Sequence, residues 1–114
     1  MIQNVSNNTD KIYLRLAEFY ISEHAIDRLS FRYAIKSKIM LSKIITTLVD
    51  KIIANNTDDF ILVKKDITDN YSNKAKNDLY SYEIDGIIFY FIMDKEKKIR
   101  TFLTENQALR TYNG

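Results

Sequence analysis

Apolar residues recur at helical spacing over residues 37–54. They fall into two adjacent rows that repeat every fourth position: Met40, Ile44, Leu48 and Ile52, then Leu41, Ile45, Val49 and Ile53. Two such rows make up one apolar face of an α-helix. The pattern therefore predicts a helix over residues 37–54 that ends at Asn55-Asn56.

A second, shorter helix is predicted to begin at Ser22. The serine hydroxyl can accept a hydrogen bond from a free backbone N–H of the first turn, and Glu23 adds negative charge near the positive helix end. The apolar positions that follow lie on one side of such a helix: Ala25, Ile26, Leu29 and Tyr33. Upstream, residues 12–21 combine β-branched and aromatic side chains with partial alternation, which predicts a strand.

The period of the pattern changes after residue 60. Four short runs, rich in aromatic and β-branched residues, each predict a strand: 60–65, 78–85, 86–94 and 98–104. The polar stretch 66–77 between the first two runs predicts a loop. An N-terminal strand, two helices and an antiparallel sheet of about four strands together predict an α+β fold.

Asp85-Gly86, between two of these runs, predicts a two-residue hairpin turn because both residues tolerate positive φ. Such a turn fixes which side chains face each other across the strands: Ile84 and Ile87, Tyr82 and Phe89, and Tyr80 and Phe91. These side chains share one face of the sheet, which is predicted to be the core. The opposite face is half apolar, through Ile88, Tyr90 and Ile92 beside Ser81 and Glu83. A helix or a partner chain is expected to cover part of it.

Composition indicates a single domain over residues 1–114. Apolar residues make up 46% of the chain and charged residues 28%, which is the balance of a globular protein rather than of a disordered one. The polar ends, 1–10 and 111–114, are predicted to fray. The chain has no cysteine, which excludes a disulfide framework and suits a reducing cytoplasm.

Several functional classes lose support from the residues that the chain lacks. No secretory leader and no apolar run of about 20 residues is found, so a cytoplasmic protein outside the membrane is expected. One histidine and no cysteine leave no ligand set for a transition metal. Phosphate-binding glycine loops are missing too. We therefore expect neither a metal nor a cofactor.

His24, Arg28 and Arg32 lie four residues apart and would share one stripe of the helix that begins at Ser22. Histidine is the usual proton shuttle near neutral pH, and the forked arginine cation suits phosphate oxygens. Together these residues indicate a phosphodiester site. The alternative is the solvent-exposed side of an ordinary helix, because surfaces carry such residues for solubility alone. The net charge of +2 is too small to decide between the two.

The order of elements, the motif S-x-H-A-x-x-R-x-x-x-R over residues 22–32 and the later run I-R-T-F-L-T over residues 99–104 resemble the small ribonuclease toxins of the RelE superfamily. The chain is most similar to the branch with a His-Ala-x-x-Arg helix, within the barnase, EndoU, colicin and RelE group. The resemblance implies catalytic or phosphate-binding roles for His24 and Arg28, with Thr101 completing the site. Arg32, the last residue of the motif, is a weaker candidate for RNA contact, and Arg100 and Tyr90 are candidates to which the motif assigns no role.

Two functions are therefore expected as alternatives. The first is a metal-independent, toxin-like ribonuclease that cleaves transfer RNA or messenger RNA through attack of the 2′-hydroxyl. The resemblance implies a cognate antitoxin or immunity protein as its partner, and a homodimer is a further expectation. The second is a binding protein of the same fold without catalysis, such as an immunity protein, an antitoxin or a phage-encoded factor. Fold alone does not separate these functions.

Overall fold

The computed structural model describes residues 17–69 and 72–112. Two helices come first: α1, Glu23–Arg32, and α2, Lys38–Ile53. A short 3-10 helix, Thr57–Asp59, leads into four strands: β1, Ile61–Asp69; β2, Ser72–Ile84; β3, Ile87–Met93; and β4, Ile99–Leu103. A third helix, α3, Glu105–Tyr112, follows the last strand. The α+β prediction is confirmed.

Both predicted helix starts are confirmed by their caps. The Ser22 hydroxyl accepts a hydrogen bond from the Ala25 N–H, and the Ser37 hydroxyl accepts one from the Met40 N–H. The α2 helix ends at Ile53 with Ala54 as its cap residue, followed by Asn55 in the left-handed region with φ 58°. Asparagine tolerates this conformation better than most residues, which explains why the helix stops there.

The strands form one antiparallel sheet in the order β1-β2-β3-β4. The predicted hairpin is confirmed: Asp85 has φ 51° and Gly86 has φ 83°. The predicted register is confirmed at every facing pair of the hairpin: Ile84 with Ile87, Tyr82 with Phe89 and Tyr80 with Phe91.

One face of the sheet packs against α1 and α2 to form the main core. Fully buried side chains from each layer meet there: Leu29 from α1, Ile45 and Leu48 from α2, and Phe89, Phe91 and Phe102 from the sheet. Ile87, which was expected in this core, is 41% exposed because it lies at the hairpin tip. Met40 and Ile53, at the two ends of α2, are exposed as well.

The opposite face of the sheet is partly covered by α3, a helix that the sequence pattern did not predict. Ala108 of α3 packs with Ile67 and Leu79 in a second apolar cluster, against which Tyr90, Ile92 and Leu103 also pack. Of the two covers expected for part of this face, a helix or a partner chain, the structure shows a helix. Ile88, nearer the hairpin tip, remains 46% exposed.

The strand predicted over residues 12–21 is wrong at residues 17–20, and of its described residues only Ile21 makes a β-bridge, with Ile99. Residues 12–16 lie outside the described residues, and residues 17–20 form a helical turn in which the Ile21 N–H donates to the Ala17 carbonyl. Ala17, Ile21 and Ala25 are all fully buried. Their burial, rather than alternation along a strand, explains why this segment is apolar.

The loop predicted over residues 66–77 is also wrong. Strands β1 and β2 continue through it, with Ile67 paired to Asn77 and Thr68 paired to Lys76, while residues 70–71 lie outside the described part. Backbone pairing, which needs no apolar alternation, extends this polar hairpin. Of the ends predicted to fray, residues 1–10 and 113–114 also lie outside the described part, and α3 runs to Tyr112.

Candidate functional site

The start of α1 is fixed to the outer edge of β4. The Ile99 N–H donates to the Tyr20 carbonyl at 2.8 Å, and the Ser22 N–H donates to the Ile99 carbonyl at 3.0 Å. The Ser22 hydroxyl, besides capping α1, donates to the Arg100 carbonyl at 3.1 Å. The first turn of α1, which carries His24, therefore lies beside Arg100.

The end of α1 is fixed to the same strand. The Arg32 guanidinium donates to the Phe102 carbonyl at 2.6 Å, and the Tyr33 hydroxyl donates to the Leu103 carbonyl at 2.5 Å. The Tyr33 oxygen also accepts a hydrogen bond from the Tyr90 N–H at 2.8 Å. Since the two ends of α1 bond to residues 100 and 102–103, the helix runs alongside β4.

Thr101 lies between the two carbonyls, those of Arg100 and Phe102, that bond to α1. It pairs with Ile92 of β3 and is partly exposed. Because side chains alternate along a strand, its hydroxyl is on the face opposite to the buried Phe102 ring. The structure thus brings Thr101 beside the middle of α1, although about 70 residues of sequence separate them.

His24 and Arg28 are both accessible from solvent. His24 is exposed and Arg28 is partly exposed. Within residues 17–69 and 72–112, neither side chain has a recorded hydrogen bond or ion pair. As far as these residues go, the accessible imidazole and the guanidinium one helical turn away have no partner that would compete with a ligand.

Arg28 and Arg32 form a close pair of positive charges. Burial and then the charge of Arg28 lower the pKa of Arg32 below its ordinary value. Arg32 nevertheless stays fully charged near neutral pH, because arginine titrates far above it. The pair gives this side of α1 a local positive potential that the small net charge of the whole chain does not reveal.

The other two candidates, Arg100 and Tyr90, each lie near an acidic residue. Arg100 is exposed and lies 3.9 Å from the Asp94 carboxylate, which partly offsets its charge. Tyr90 packs against the second apolar cluster, next to α3. Burial and the Glu105 carboxylate raise the pKa of Tyr90. Its ring is therefore less available for contact with RNA than those of the exposed aromatic residues.

Ser22 and Tyr33 are site residues whose second role the sequence did not reveal. Ser22 was assigned to the helix cap and Tyr33 to the apolar stripe, and both assignments are compatible with the structure. Their hydroxyls in addition bond to β4, over sequence separations of 78 and 70 residues. Sequence spacing carries no signal for contacts at such distances.

Within residues 17–69 and 72–112, no three or more His, Cys, Asp or Glu side chains are grouped as metal ligands. No helix in the same part of the chain has both the length and the apolar character to cross a membrane.

Comparisons with protein-family models, with curated proteins and with solved structures find no match for this chain. The RelE resemblance therefore stays a prediction from the motif and the order of elements.

Proposed function

We propose that the chain is a metal-independent ribonuclease of the RelE-like toxin type, with its site on α1 and β4. The observation that carries the proposal is the alignment of α1 along β4, through the bonds of Ser22 to Arg100 and of Arg32 to Phe102. This alignment supports the proposal because the helix that carries His24 and Arg28 runs next to the strand that carries Thr101.

The chemistry follows from what these side chains can do. The His24 imidazole takes the proton of a ribose 2′-hydroxyl, and the 2′ oxygen attacks the adjacent phosphorus. The bond from phosphorus to the 5′ oxygen breaks, the leaving oxygen receives a proton from the imidazolium, and a 2′,3′-cyclic phosphate remains. Arg28 opposes the negative charge that builds on the phosphate oxygens, and the Thr101 hydroxyl donates to one of them.

The substrate class is transfer RNA or messenger RNA, and the site of action is the cytoplasm. A ribonuclease in the cell that makes it needs an inhibitor, so a cognate antitoxin or immunity protein is the proposed partner. Such a partner would have to cover the accessible side of α1, because His24 and Arg28 lie there.

The test is cleavage of total RNA and of transfer RNA in the presence of EDTA. His24→Ala should lower the cleavage rate about 100- to 10,000-fold, the usual contribution of a general acid or base. Asp27→Ala is the matched control, because Asp27 is an exposed neighbour on the same helix. Equal cleavage by wild type and His24→Ala would remove His24 from the site, and intact RNA with the wild type would contradict the ribonuclease proposal.

A second candidate function is binding without catalysis. It is favoured by β1, an edge strand of the sheet, where Ile61, Leu62 and Val63 are 64%, 50% and 38% exposed. An exposed apolar edge strand can pair with a strand of another chain, including a second copy in a homodimer. A variant with a charge at this edge, Leu62→Lys, should then weaken association without altering any RNA cleavage.

A further inference from the structure

The aromatic ring of Phe31 is exposed on the accessible side of α1. Phe31 is 79% exposed, and among the described residues it takes part in none of the recorded ring contacts. Phe31 is three residues after Arg28 and seven after His24, so the three side chains follow one stripe of the helix. A single exposed aromatic residue needs no explanation by itself. The position of Phe31 beside Arg28, which has no ion pair among the described residues, does suggest a role in binding.

A flat ring next to forked cations matches the chemistry of unpaired nucleic acid. Single-stranded RNA is bound by stacking of its bases on aromatic side chains, while neighbouring cations hold the phosphates. Arg28 and Arg32 supply that charge within one helical turn of Phe31. In a duplex the bases are stacked on each other, so a ring on a helix surface cannot reach their faces.

We propose that Phe31 stacks on a base of single-stranded RNA while Arg28 and Arg32 contact the adjacent phosphates, so that α1 selects unpaired RNA. This inference rests on the proposed function because it takes RNA as the ligand. It adds that the RNA is single-stranded and that Phe31 contacts one of its bases.

Other occupants of this surface fit the neighbours of Phe31 less well. A membrane-surface helix needs a broad apolar face, and a protein-binding patch needs contiguous apolar area. The residues three and four positions before Phe31 are Arg28 and Asp27, both charged, and the next residue is Arg32. On α1 itself, the Phe31 ring is therefore flanked by charged residues.

The chain contains no tryptophan, so Phe31→Trp would introduce a single fluorescent reporter at this position. We would titrate this variant with a short 2′-O-methylated RNA, first as a single strand and then annealed to its complement. Stacking should quench the fluorescence with the single strand and leave it nearly unchanged with the duplex. The matched control is Ile61→Trp, because Ile61 is 64% exposed on β1, at the sheet edge opposite to β4.

Equal quenching of both reporters, or no quenching of Phe31→Trp, would overturn the inference. A change in the fluorescence of Phe31→Trp when vesicles of anionic lipid are added without RNA would also overturn the inference. Affinity gives a second readout: Phe31→Ala and Phe31→Leu should both bind the single strand about 5- to 150-fold more weakly than wild type, because neither side chain offers a ring for stacking. Unchanged affinity in both variants would also overturn it.

The methylated RNA separates this inference from the proposed catalysis, because it has no free 2′-hydroxyl and cannot be cleaved by the proposed route. Selective quenching together with no cleavage of ordinary RNA would support the role of Phe31 and contradict the ribonuclease. Cleavage of ordinary RNA without quenching would refute the role of Phe31 and leave the ribonuclease standing.

Discussion

At the scale of single residues, Tyr33 joins three elements through one hydroxyl. It donates to the Leu103 carbonyl on β4 and accepts from the Tyr90 N–H on β3, while its ring lies 4.8 Å from that of Phe89. Tyr33→Phe would keep the ring and leave both backbone groups without this partner. We expect a loss of about 1–3 kcal/mol in the free energy of unfolding, measured by urea denaturation.

Tyr33 also makes the free energy of unfolding depend on pH. Burial is the main cause that raises the pKa of Tyr33 to about 12, above the ordinary value of 10.0 that applies in the unfolded chain. Its contribution to stability is therefore complete below about pH 10 and is lost between about pH 10 and 12. Tyr33→Phe should flatten that alkaline loss. Tyr20→Phe is the control, since the Tyr20 hydroxyl has no recorded bond among the described residues; an equal effect there would contradict the role of Tyr33.

The sequence could predict the arrangement of the candidate site only for residues that lie on the same helix. The spacing of His24, Arg28 and Arg32 sufficed to place them on one stripe of a helix, and α1 is present. Spacing could not show that Arg32 is partly committed to the Phe102 carbonyl or that Tyr90 packs against the second apolar cluster. Those contacts depend on tertiary packing between distant segments.

At the scale of elements, two serine caps offer a matched comparison. Ser37 caps α2 alone, whereas Ser22 caps α1 and also donates to the Arg100 carbonyl. Ser37→Ala should cost about 1 kcal/mol of unfolding free energy. Ser22→Ala should cost about 1 kcal/mol more, because it also removes the bond to β4. Thermal or urea unfolding would measure both, and equal losses would show that the bond to Arg100 contributes nothing.

Elements with a strong apolar period were predicted closely, and polar ones were not. The α2 helix and the β2–β3 hairpin carry clear spacing and a favourable turn, and both match the structure. The α3 helix has a weaker pattern, yet its start did carry a signal. Thr104 and Gln107 bond reciprocally, side chain to backbone, as a capping box. The T-E-N-Q sequence of residues 104–107 has the spacing of that motif.

At the scale of the whole molecule, a net charge of +2 gives weak steering toward RNA. Any salt dependence of binding must therefore come from local cations. Arg28→Ala should lower the slope of log affinity against log salt by about 0.7 for single-stranded RNA, the value of one lost phosphate contact. Lys64→Ala, on the exposed β1 edge, should leave the slope unchanged. The same loss in both variants would point to diffuse attraction instead of a site on α1.

The central claim, that RNA binds where α1 lies along β4, has a direct measurement. His24 is the only histidine in the chain, so the ring protons of a tag-free sample give one histidine signal set in a proton NMR spectrum. We predict that these resonances shift when single-stranded 2′-O-methylated RNA is added, and that they shift much less in Arg28→Ala at the same RNA concentration. Ring resonances that stay in place while the RNA is shown to be bound would put the RNA elsewhere and contradict the account.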